Sequence, residues 1–106
     1  MPTYLWQATY HGDGVKGLLK EGGTKRRASI QQVVEKAGGK LLAFYYAFGE
    51  WDVVGMAEFP DHATATAVSL AVNATGAVQL RTTVLLSAEE VDAATKKTVA
   101  YRAPGA

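Results

Sequence analysis

Lys40-Leu-Leu-Ala-Phe-Tyr-Tyr-Ala-Phe-Gly49-Glu-Trp-Asp-Val-Val-Gly-Met-Ala-Glu-Phe-Pro60 decides the fold of this chain. Two apolar runs flank a short polar knot, Gly49-Glu50-Trp51-Asp52. Runs so rich in aromatic and branched side chains favour extended backbone. The gap between them is short, so they must be hairpin neighbours. The reading is a strand at Lys40–Phe48, a strand at Trp51–Phe59, and a hairpin at the middle of a sheet. Gly49 is expected to supply a positive φ to the turn.

Working outward, Thr3–Tyr10 is a third aromatic-rich strand. His11-Gly-Asp-Gly14 interrupts it, and Val15–Lys20 has room for a turn or two of helix. Thr24 is a candidate cap for a helix to about Ala37, in which Ile30, Val33, Val34 and Ala37 form one apolar stripe. After the hairpin, Pro60-Asp61 stops a strand and caps a helix over about His62–Thr75. Ala77–Leu86 reads as the last strand. Ser87-Ala-Glu-Glu90 fits a capping box for a helix from Ala88 to about Thr98. The order is β-α-β-β-α-β plus a C-terminal helix, the ferredoxin-like α+β arrangement with an antiparallel sheet. The chain is one domain over 1–106, with residues 1–2 and 100–106 expected to be loose.

The strands are apolar on both faces. Leu41, Ala43 and Tyr45 are expected opposite Leu42, Phe44 and Tyr46, and Val53, Gly55 and Ala57 opposite Val54 and Met56. Two helices cover one face of such a sheet, and soluble monomers rarely expose an apolar patch the size of the other. Either a second copy covers it, giving a homodimeric α+β barrel, or the C-terminal helix folds over it within one chain. The balance favours the dimer.

Composition narrows the function classes. Eleven basic and ten acidic side chains nearly cancel, so no strong field would hold a nucleic acid. With no cysteine there are no disulfides, thiolate metal sites or cysteine nucleophile. The start lacks the pattern of a secretory signal, and no apolar run approaches the roughly 20 residues of a membrane span. A cytoplasmic protein is the expectation.

Several spaced blocks occur together. They are Gly22-Gly-Thr-Lys-Arg26, Gly38-Gly-Lys40, Phe44-Tyr-Tyr46, Phe48-Gly-Glu-Trp-Asp-Val-Val54 and Leu85-Leu-Ser-Ala-Glu-Glu-Val91. In this combination the chain resembles the GYD domain family, small and mainly prokaryotic proteins named for a Gly-Tyr-Asp signature. The resemblance runs from Tyr4 to about Ala93. It implies a dimeric α/β-barrel fold and no particular reaction. Trp51 stands where the family often has Tyr, so no mechanism that needs a phenol hydroxyl there carries over.

The candidate site residues follow from chemistry. Arg26, in a cationic first turn after two glycines, suits a phosphate or carboxylate. Asp52 enters an apolar sheet, where a carboxylate must be paired or have a raised pKa. It is a candidate ligand contact and, with His11, a candidate base. Trp6, Tyr45 and Trp51 are aromatic candidates for a pocket wall, and Arg81 is a polar one. His11 and His62 lack the spacing of a metal motif, so neither a metal nor a cofactor is expected. Three functions fit: a homo-oligomeric binder of a small anionic or aromatic molecule; a cofactor-free oxygenase or isomerase on a planar aromatic, by analogy with other dimeric barrels; or a ligand-free assembly or regulatory module. Native mass spectrometry of protein from its own host should give a dimer or larger. A monomer at micromolar concentration would refute the two-faced argument.

Overall fold

The computed structural model describes residues 1–106. In chain order the elements are β1 (Thr3–Tyr10), α1 (Gly12–Glu21), α2 (Gly23–Lys36), β2 (Lys40–Tyr46), β3 (Val53–Glu58), α3 (His62–Ala74), β4 (Val78–Leu85) and α4 (Ala88–Thr95). The four strands form one antiparallel sheet in the order β2-β3-β1-β4, the ferredoxin-like topology. The hairpin is therefore not the middle of the sheet. β1 pairs with both β3 and β4, which places β2 at an edge.

Rows across the sheet define its two faces. Phe44, Gly55, Trp6 and Thr82 lie side by side, as do Leu41, Ala57, Tyr4 and Val84. These rows face the helices. Tyr4, Trp6, Val34, Ala57, Phe59, Ala65 and Val68 make the buried cluster, with Trp6 and Phe59 rings 5.8 Å apart. The opposite face carries Leu5, Tyr45, Val54 and Met56 within a frame of Thr3, Gln7, Arg81 and Glu58. A bulge between Leu41 and Ala43 alters the alternation expected for β2. The extra residue puts Leu41 on the same face as Phe44 and Tyr46, while Ala43 pairs with Met56 on the other.

Local chemistry sets the helix ends. Asp61 accepts from the Thr64 N–H at 2.7 Å, and Ser87 and Glu90 close a complete capping box. Thr24 is not a cap. α2 begins at Gly23 and its N-cap is Gly22, at φ 82 and ψ 164, a region essentially open to glycine alone. Gly22 donates its N–H to the Leu18 carbonyl, so a single residue ends α1 and starts α2. At the hairpin tip the positive φ belongs to Phe48 (56°) and not to Gly49. The Phe48 ring stacks on Tyr46, with centroids 6.5 Å apart.

The C-terminal helix does not fold over the open sheet face. Every residue from Leu86 to Ala106 is exposed. The segment projects from the body, giving a radius of gyration of 17.0 Å where about 13 Å describes a compact chain of this length.

Phe59 is fully buried, so Phe59→Ala should cost about 3–5 kcal/mol, read as a lowered denaturation midpoint in urea. Hydrogen bonds from Thr64 hold the Asp61 carboxyl below its ordinary range. Its contribution is present above the unfolded carboxylate value and is lost as pH falls through the lower folded value. Acid titration of the melting temperature should show this loss below about pH 4 in the parent and not in Asp61→Ala.

Candidate functional site

Between the helix-facing side of the sheet and α1, α2 and α3 lies a cavity of about 310 Å³. Trp6, Ala8, Phe44 and Val53 form its floor, and Val68 and Val72 of α3 form one wall. Leu18 of α1 and Ile30 of α2 close the other side. The volume falls within the usual range for small-ligand pockets, and so does the lining, mostly apolar with a few charged groups.

α1 contains three glycines, Gly12, Gly14 and Gly17, and the last two line the cavity. Gly14 packs directly on the Ala77 carbonyl, and a Cβ there would collide with that oxygen. The same carbonyl accepts the His11 N–H at 2.9 Å. Each interior glycine weakens a helix by about 0.8–1.0 kcal/mol relative to alanine. No residue of α1 is fully buried. α1 is thus the least firmly held wall.

Charge is confined to this α1–α2 side. Arg26, Glu21 and Asp13 line the cavity, and Arg26 Nη1 lies 3.7 Å from Glu21 Oε2. The sharp turn at Gly22 brings the last residue of α1 beside the first turn of α2. The pair is long and about a third exposed, so it contributes little to stability and is readily exchanged. On the floor, the Trp6 indole Nε1–H is buried without a hydrogen-bond acceptor. Such a donor costs about 1–3 kcal/mol.

Two of the sequence candidates, Trp6 and Arg26, meet at this cavity. The others lie elsewhere. Arg81 stacks on Trp51, 5.2 Å from the ring centroid, and shares the open sheet face with Tyr45. The Asp52 carboxylate accepts the Tyr10 N–H at 2.8 Å while its own N–H donates to the Ala8 carbonyl. It extends the β1–β3 ladder past the end of β3. His11 is exposed at the N-cap of α1. Tyr46 seals the junction of β2 and α2 by donating its hydroxyl to the Gly23 carbonyl, and burial, then its neighbour Tyr10, raises its pKa. No three His, Asp or Glu side chains are grouped to hold a metal, and no helix is long and apolar enough to cross a membrane.

The wall residues of α1, α3 and β4 are not apparent as site residues from spacing. The one signal for them is the run of small residues Gly14 and Gly17, three apart and on one side of a helix.

A family model described as the GYD domain matches residues 4–95. No curated protein and no solved structure matches the chain. Gly22→Ala should strain the α1–α2 turn by about 1–3 kcal/mol and loosen both walls. Hydrogen exchange should accelerate in α1 and the first turn of α2 while the amides of β1 and β3 keep their protection.

Proposed function

Because the chain belongs to the GYD domain family, a membership that fixes no reaction, we propose from its site that it is a homo-oligomeric small-molecule-binding protein. The ligand lies between the sheet and the helices. The observation that carries this reading is the apolar cavity of about 310 Å³ with Trp6 in its floor and Arg26 in its wall. The lining suits a compact planar or branched apolar body, and Arg26 suits an anionic group on it. Arg26 is held only by its long contact to Glu21, so a ligand carboxylate can replace that partner with a better charge-assisted bond.

Binding is favoured over cofactor-free catalysis by the placement of the two candidate bases. Asp52 is engaged by backbone, His11 is exposed, and neither lines the cavity. A ligand-free assembly role leaves the cavity without a purpose. The homo-oligomeric half of the reading draws its support from the open sheet face. There an apolar centre of Leu5, Tyr45, Val54 and Met56 has a polar rim, the anatomy of a protein interface.

Naphthalene-1-carboxylate combines a planar body with an anion and serves as a probe in calorimetry. The parent should bind it, Val72→Trp should fill the cavity and abolish binding, and Arg26→Gln should weaken it about tenfold, the equivalent of 1.4 kcal/mol. Affinity unchanged in the folded Val72→Trp variant would rule out this cavity as the site.

A further inference from the structure

α4 is a fully formed helix with every residue exposed in its own chain. Ser87 and Glu90 satisfy its first amides in both directions. Yet a helix of eight residues is marginal in water, because so few turns do not repay nucleation. Helical stability ordinarily comes from burying an apolar face. Val91 of α4 is exposed, and so are the apolar side chains that flank the helix along the same segment, Leu86, Val99 and Tyr101.

The surface of the whole chain points the same way. Its accessible area is 7278 Å². A compact monomer of its mass would expose about 5,700 Å². The excess, about 1,500 Å², is well above the roughly 800 Å² that each partner contributes to a stable interface of standard size. The arm also leaves the body next to the open sheet face. It follows directly on β4, whose Leu85 pairs with Thr3 on that face.

We propose that Leu86–Ala106 is an exchanged arm: in a dimer of this chain, each copy lays its C-terminal segment against the other. The occupant of the arm's apolar side is the second copy's body, along the rim of the open sheet face. This rests on the homodimer reading above and adds to it a reciprocal clasp. The clasp lies outside the ligand cavity, which is on the far side of the sheet. Its loss weakens assembly and leaves the binding site in place.

The cysteine-free sequence makes the test clean. A Val99→Cys variant, spin-labelled and without isotope, is mixed with ¹⁵N-labelled parent chain. Broadening of parent amides in β1 and β3 is the expected result, since those strands belong to the copy without the label. Val91→Glu, at a position exposed in the single chain, should raise the dimer dissociation constant about tenfold in sedimentation without lowering cavity binding. A dimer with no such broadening and no response to Val91→Glu would overturn the exchanged arm and leave the dimer reading standing. A chain that sediments as a monomer at every concentration would overturn both.

Discussion

A four-stranded sheet has two faces, and in this chain three helices lie against the same one. β1 forces that division. It carries Tyr4, Trp6 and Ala8 toward the helices and Thr3, Leu5, Gln7 and Thr9 away from them. The helix-facing three are buried and the other four are all partly exposed. Only 10 of 106 residues are buried, a small core for this length. The buried cluster is correspondingly dense in rings, with Tyr4 and Trp6 each packed at a tilt against Phe59, centroids 5.8 Å apart. Large aromatic side chains bury more area per residue than any others, which lets a short list hold the sheet to its helices.

The covered face is itself incompletely filled, and the cause is local. α2 and α3 pack over the sheet with Val34, Ala65 and Val68, but α1 comes in as a glycine-bearing helix with no buried residue of its own. Gly14 permits the close approach to Ala77, and Gly22 permits the turn into α2. Both devices place a weak wall beside a hollow, with Arg26 and Glu21 at the join. α1 has no buried residue, whereas Tyr4, Trp6 and Ala8 of β1 and Val53 and Ala57 of β3 beneath it are buried. Proteins generally draw their binding segments from the low-stability end in this way.

Much of the fold was legible because its signals are local. Asp61 and the Ser87–Glu90 box mark helix starts by chemistry that needs no tertiary context. The order of the strands and of α2, α3 and α4 followed from sequence pattern, and with it the topology, but α1 runs over Gly12–Glu21 where the sequence suggests only a turn or two at Val15–Lys20. What was not legible depended on distant pairing. The bulge at Leu41–Ala43 arises from register with β3, so simple alternation put Leu41 on the wrong face. The edge position of β2 follows from β1 pairing on both sides. Phe48, not Gly49, takes the positive φ, and its ring stacks on Tyr46, a pairing at the hairpin tip that residue type does not signal. Of the site candidates singled out by residue type, Trp6 and Arg26 line the cavity, whereas Asp52 and His11 lie away from it. Asp52 extends a backbone ladder. The apolar walls from α3 and β4 look like any core residue in sequence.

The central claim is that the open sheet face is covered by a second copy. Met56 sits at its centre, paired with Leu5 on one side and Ala43 on the other. Thiol reactivity of a Met56→Cys variant, followed with a disulfide reagent across a dilution series, measures that cover directly in a chain with no other cysteine. The account predicts slow reaction at high protein concentration and a rate that climbs toward that of a free thiol on dilution. A fast rate that is the same at every concentration would contradict it.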